Sequence, residues 1–140
     1  IFLEPGQWQN IPPRKLQYFK RYGYVVPSRS GYVLTPKGTK TLSEEKVWAL
    51  TIPTQKTWDG KWYFVLFDIP VDKRKRRDSF RRRLQELGLT LYQNSVWVYP
   101  HPIEETVSKI AAFYGLEKYV SFIAAETISN EKVLRTYFRI

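Results

Sequence analysis

The sequence predicts an α+β protein: a ferredoxin-like βαββαβ domain preceded by a partial winged-helix unit. Three observations carry that expectation. The 140 residues suit one ordinary domain or two small ones, and 43% hydrophobic with 16% aromatic residues is ample core material. From residue 61 onward, short apolar runs alternate with helical patterns in the order strand, helix, strand, strand, helix, strand. Before residue 50 the order is helix, hairpin, helix, the back half of a winged helix.

The N-terminal unit spans residues 1–50. Pro12-Pro13 can open a helix, because proline is tolerated in a first turn. Leu16, Phe19 and Tyr22 recur at helical spacing, and Gly23 ends the helix by its freedom to turn left-handed. Tyr24-Val25-Val26 and Tyr32-Val33-Leu34 flank a polar tip, Pro27 to Gly31, which reads as a short hairpin. Thr35-Pro36-Lys37-Gly38 follows, and then a short helix through Leu42 to Leu50. Residues 51–60 (T-I-P-T-Q-K-T-W-D-G) read as a linker, punctuated by proline and Asp59-Gly60.

The ferredoxin-like domain spans residues 61–127. We expect a strand at 61–68, a helix at 72–87, strands at 89–92 and 94–99, a helix at 103–114 and a strand at 118–125. An amphipathic segment, 128–140, closes the chain, with its helical piece at about 129–138. The first strand is apolar on both faces: Tyr63, Val65 and Phe67 alternate with Phe64, Leu66 and Asp68. In a later strand Val96 and Val98 likewise oppose Trp97 and Tyr99. Two helices cover one face of such a sheet, and an open apolar patch of that size rarely faces water. A second subunit, or the N-terminal unit folding back, would cover the other face, so the expectation is a homodimer packed through the sheet.

Lys and Arg number 23 against 13 Asp and Glu, a formal charge of +10, which favours a polyanionic partner. Nucleic acid comes first, as double-stranded DNA, and an anionic membrane surface second. The charge concentrates in the first long helix of the domain. Eight of the eleven residues 73–83 are basic and one is acidic. Asp72 suits the N-cap and Gly88 the stop, with Phe80, Leu84 and Leu87 as the buried stripe. Extended toward its N-terminus, that stripe meets Lys73, Arg76 and Arg77, which either overhang the domain edge or pair with carboxylates. Arg74, Lys75, Arg81 and Arg82 lie on the outer face, with Asp78 to offset them. Like charges at i, i+4 repel, so such a cluster points to phosphate binding over a merely solvated face. In the N-terminal unit Arg14, Lys15, Lys20 and Arg21, with Arg29 at the hairpin tip, are the DNA-contact candidates. Gln17 is among the few polar side chains there that could read a base.

The composition also excludes chemistry. With no cysteine there is no disulfide framework and no thiolate zinc site. One histidine, His101 between two prolines, leaves no material for a histidine-rich metal site or a Ser-His-Asp triad. The apolar run Trp62 to Phe67 is too short to span a bilayer, and no signal-peptide pattern is visible at the start. A cytoplasmic protein without a membrane partner is expected. Glu104 and Glu105 open a helix, where acids favour the dipole. Tyr92, Trp97 and Tyr99 suit base stacking, but strand aromatics more often belong to a core or an interface.

From Trp58 to Glu126 the chain resembles the Cas-two family of CRISPR adaptation nucleases. The likeness rests on a strand closing in Phe67-Asp68-Ile69, a basic helix ending near Leu87-Gly88, and Gln93-Asn94-Ser95-Val96 beyond it. The variants W-D-G-K-W (58–62) and S-V-W-V-Y-P (95–100) resemble more closely the central domain of PaaX-type phenylacetate-degradation repressors. R-Y-G-Y-V (21–25) and G-Y-V-L-T-P-K-G (31–38) are similar to the winged-helix region that precedes that domain in those repressors. The resemblance implies a ferredoxin-like dimer in a DNA-binding transcriptional regulator that needs no cofactor. In the nuclease family the acid ending the first strand is a metal ligand. That role would fall on Asp68 with Mg²⁺, and the alternative is a metal-dependent endonuclease or CRISPR adaptation protein. The other reading of Asp68 is a strand-end residue bonding nearby backbone amides. Free-standing nucleases of that type lack an N-terminal winged unit, which favours the regulator. A third reading, a protein-interaction module, requires an acidic partner for the basic helix.

Overall fold

A computed structural model describes residues 11–140, which fall into two units divided between Ala49 and Leu50. In the first unit, α1 (Pro13–Arg21) starts on a proline whose missing N–H costs nothing in a first turn. Gly23, at φ 70°, reverses the chain behind it. β1 (Val25–Ser28) and β2 (Gly31–Leu34) pair antiparallel, with Ser28 opposite Gly31 at the turn.

The next helix, α2 (Pro36–Ala49), begins well before the Leu42 start expected from its apolar residues. Thr35 is the reason. Its hydroxyl accepts the Gly38 N–H at 3.0 Å and donates to the Gly23 carbonyl at 2.6 Å, closing the helix start onto the preceding turn. Gly38 is the second device, since a Cβ there would overlap the Tyr24 carbonyl oxygen. Val25, Gly38 and Val47 are the buried residues of this unit among those described.

The second unit is an antiparallel four-stranded sheet in the order β4-β5-β3-β6, with helices flanking it, the α+β ferredoxin-like arrangement that the element order predicts. β3 (Trp62–Phe67) lies between β5 (Val96–Tyr99) and β6 (Val120–Ala125), and β4 (Thr90–Gln93) is the far edge. Val65 pairs with Trp97 on one side and Phe122 on the other. α3 (Arg74–Glu86) and α4 (Glu104–Phe113) complete the βαββαβ order. Phe80 and Leu84 of α3 and Val107 and Ile110 of α4 are fully buried. Phe80 meets Phe67 edge-on at 5.4 Å, which places α3 on the Tyr63-Val65-Phe67 face. Each such side chain contributes about 1.5–3 kcal/mol by leaving water.

The opposite face is covered by the chain's own last helix, α5 (Glu131–Phe138), along Trp62, Phe64 and Val98. Leu134 completes that buried cluster, and Phe138, Ile140 and Ile128 pack around it. The Trp62 indole N–H donates to Glu131 at 3.1 Å, and the Tyr92 hydroxyl donates to the Ser129 carbonyl at 3.1 Å. The cover expected from a second subunit or from the N-terminal unit is thus supplied, over these three residues, from within the second unit.

Around α3 the structure corrects two local expectations. Asp72 is not its N-cap. A 3₁₀ turn, Val71–Lys73, precedes the helix, Lys73 holds the cap position without a side-chain cap, and the Asp72 carboxylate pairs with Lys73 at 3.2 Å. The buried stripe also differs. Leu87 is half-buried, while Arg83, from the middle of the basic run, is buried at 6% exposure. Its guanidinium donates to the Leu50 carbonyl at 2.6 Å and lies 3.5 Å from Glu86, so its charge is matched inside.

Residues 50–55 run along this unit. Ile52 is buried, Thr106 donates to the Thr51 carbonyl at 3.1 Å, and the Gln55 N–H donates to His101 Nδ1 at 3.2 Å. Among the described residues no helix is long and apolar enough to cross a membrane.

Candidate nucleic-acid interface

The side-chain pairing on α3 sorts its cations into two groups. Lys73 is held by Asp72 and also lies 5.9 Å from the centre of the Tyr119 ring. Asp78 serves both Arg74, at 3.9 Å, and Arg77, at 3.5 Å. Arg83 is turned inward. Lys75, Arg76, Arg81 and Arg82 are all exposed and have no carboxylate partner among the described residues. Lys75 and Arg82 are seven residues apart, two helical turns, so they stand on one line about 10 Å long facing solvent.

A surface concavity of about 470 Å³, open to solvent, lies over the first turn, lined by Asp72, Lys73, Arg74, Lys75 and Arg76. Four of these five are cations, at the helix end whose free N–H groups already favour an anion.

The first unit carries a second basic surface. Arg14, Lys15, Lys20 and Arg21 on α1 are exposed, and so is Arg29 in the hairpin turn. The lysines have ring partners: Lys15 lies 5.8 Å from the centre of the Phe19 ring and Lys20 4.5 Å from that of Tyr32. Lys37, outside the sequence-derived set, lies 4.9 Å from Tyr24 and donates to the Tyr22 carbonyl at 2.8 Å. The sequence signal for Lys37 was its place beside Pro36 in a helix's first turn, but its ring partner comes from across the hairpin. Tyr18 and Tyr22 are half-exposed with rings 4.5 Å apart.

Asp68 stands exposed just past β3. Its backbone N–H donates to the Tyr119 carbonyl at 3.0 Å, and among the described residues its carboxylate has no hydrogen-bond or ion-pair partner. Among the described residues no three His, Asp or Glu side chains come together to hold a metal. Mg²⁺ demands octahedral oxygen coordination, and one exposed carboxylate supplies a single ligand. Such an ion is commonly held by one or two carboxylates together with water and phosphate, so among the described residues Asp68 would supply one ligand and the others would come from outside that set.

The remaining aromatic candidates belong to packing. Trp97 is 7% exposed, and Tyr92 meets Phe64 edge-on at 5.2 Å. Burial pushes the Tyr99 hydroxyl above its ordinary pKa. The W-D-G-K-W motif folds into a closed loop. The Trp58 indole donates to the Lys61 carbonyl at 2.9 Å, and Asp59 accepts from the Lys61 N–H at 2.9 Å, from Gln55 at 3.4 Å and from the Tyr63 hydroxyl.

Comparison with known proteins gives one family. No curated protein matches the chain. Residues 55–135, more than half of it, match the PaaX protein central Cas2-like domain. That span holds the W-D-G loop, the whole sheet, the basic α3 and the start of α5, so the unit whose charged helix has just been described is the one the family defines, and the chain belongs to the PaaX family.

Proposed function

We propose that this protein is a PaaX-like, DNA-binding transcriptional regulator acting in the cytoplasm as a homodimer. One observation carries the reading: Lys75, Arg76, Arg81 and Arg82 stand exposed on α3 with no carboxylate partner among the described residues. A fixed row of unmatched cations is unfavourable unless a polyanion completes it. Lys73, Arg74 and Arg77 border that row. The first unit, read as the back half of a winged helix, adds Arg14, Lys15, Lys20, Arg21 and Arg29 as contacts to duplex DNA.

The dimer contact falls on the sheet surface that α5 leaves open. Ile123, in register with Phe64, is 51% exposed there, and the edge strand β6 has no charged residue to discourage pairing. Sedimentation at micromolar concentration is the check, and a monomer would remove this part of the proposal.

The function itself is tested by anisotropy of labelled duplex DNA in EDTA over a salt series. We expect binding whose log–log salt slope becomes shallower by about 0.9 for each phosphate contact removed from α3. The same samples with Mg²⁺ or Mn²⁺ distinguish the nuclease alternative. Binding without cleavage fits the regulator. Cleavage that disappears in Asp68→Ala would show a metal-dependent nuclease that uses Asp68 and would overturn the regulator reading. Asp68→Ala should leave stability within about 0.5 kcal/mol, because its exposed carboxylate has no partner to lose among the described residues.

A further inference from the structure

α1 does more than add charge. We infer that Arg14, Gln17, Tyr18 and Arg21 form a base-reading stripe, directed at the edges of base pairs in the major groove of duplex DNA. This rests on the proposal that the first unit binds DNA, and it assigns the specificity of that site.

The spacing i, i+3, i+4, i+7 puts these four side chains on one line of a regular helix. All four are exposed, with Tyr18 at 51%. Leu16 and Phe19, at the opposite angle, are the half-buried side that holds the helix down. The cations of this surface then divide by chemistry. Lys15, Lys20 and Lys37 each rest on an aromatic ring, at 5.8, 4.5 and 4.9 Å. A compact ammonium seated this way is a fixed point charge, suited to a phosphate. Arg14 and Arg21 have no hydrogen bond, ion pair or ring contact among the described residues, and Gln17 has none either. Their donors and acceptors are open to a ligand.

The order along the line is a hydrogen-bonding code: fork, amide, ring, fork. A guanidinium bonds both O6 and N7 of guanine, and a carboxamide bonds N6 and N7 of adenine. A ring at the next position offers an apolar surface to a thymine methyl. The α3 row differs, since it presents cations about an aspartate and is suited to backbone alone. Arg14 and Arg21 are about 10.5 Å apart along the axis, about three base-pair steps. The recognised half-site is therefore about four base pairs, with a guanine toward each end and an A·T pair between them.

The test is selection of preferred duplexes from a randomised pool by the full chain in EDTA. Anisotropy then follows on the selected duplex and on a scrambled duplex, for wild type, Arg14→Lys and Gln17→Ala. Arg14→Lys keeps the charge and loses the fork. We expect each variant to lose roughly 10- to 100-fold of the preference for selected over scrambled DNA, relaxed at one base-pair position. Affinity for the scrambled duplex should change less than about 2-fold. Circular dichroism should show an unchanged fold, since neither side chain has a partner to lose among the described residues. If both variants keep the wild-type preference, or weaken the two duplexes equally, the stripe contacts backbone and the inference is wrong. Wild-type binding without any sequence preference would also overturn it while leaving the DNA-binding proposal standing. No duplex binding at low salt would overturn both.

Discussion

Arg83 donates from its guanidinium to the carbonyl of Leu50 at 2.6 Å, so one member of an eight-cation run faces the interior while its neighbours face solvent. It ties α3 to the first residues of the second unit. Replacing Arg83 with Ala should cost about 2–4 kcal/mol, because a buried charge-assisted bond is lost and Glu86 is left without its partner. Replacing Arg82, two turns from Lys75 on the outer face, should leave the melting temperature nearly unchanged and make the DNA salt slope shallower by about 0.9. Thermal melts and salt titrations of the two single variants check this directly. Equal effects from both would show that burial does not divide the run.

The Tyr63 hydroxyl donates to Asp59 across the W-D-G turn. That hydrogen bond, with burial and the carboxylate charge added, pushes Tyr63 up to about 12. For Asp59, burial opposes ionisation, but hydrogen bonds from Tyr63, the Lys61 N–H and Gln55 outweigh it and hold the carboxyl below its ordinary range. A raised tyrosine pKa means the contact contributes in full below 10.0 and fades as pH rises through about 12. The depressed carboxyl contributes above 3.8, and its share is lost as pH falls through its lower folded value. In an ultraviolet tyrosinate titration, Asp59→Asn should return one tyrosine toward the ordinary range, and Tyr63→Phe should remove that same late step. A late step that survives Tyr63→Phe belongs to another tyrosine.

Gly38 lies where a Cβ would overlap the Tyr24 carbonyl, and its N–H is the bond that Thr35 accepts at the start of α2. Gly38→Ala should destabilise the first unit by about 1–3 kcal/mol through overpacking. Hydrogen exchange is the suitable measurement, since it reports each unit separately. Faster exchange confined to residues 11–49 is expected. No change there would mean that α2 shifts without cost.

Leu134 is 8% exposed in the cluster with Trp62, Phe64 and Val98. Leu134→Ala should cost about 2–4 kcal/mol and loosen α5 from the sheet. Val133→Ala, one residue earlier at 68% exposure, should be nearly neutral. Denaturant melts of the pair separate a packed helix from an appended one, and equal small losses would mean that α5 is not docked in solution.

Where the expectations failed, the reasons are specific. Asp72 has the right residue type and position for an N-cap, yet Lys73 takes its carboxylate and a 3₁₀ turn intervenes. α2 starts at Pro36, although its first turn has no apolar periodicity to announce it, because Thr35 bonds back to Gly23, twelve residues earlier. The apolar stripe of the last helix is legible as Leu134 and Phe138, four residues apart. Its destination is not, because Trp62 and Glu131 meet across 69 positions. Similarly, the basic surface of α1 is visible as a list of residues, while the division between ring-seated lysines and open arginines needs Tyr32 and Tyr24 brought in from the hairpin and the turn before it.

The order of elements, the two-faced apolar strands, the basic runs and the exclusion of thiolate chemistry are all legible in the residues alone. These follow from local periodicity, composition and charge, which need no knowledge of distant partners. Which of the eight cations in residues 73–83 turns inward, which lysines rest on rings, and how far α5 covers the sheet were settled by packing. Each of those outcomes depends on a partner far away in the chain, and burial makes a charge or an apolar face tolerable only where that partner is in place.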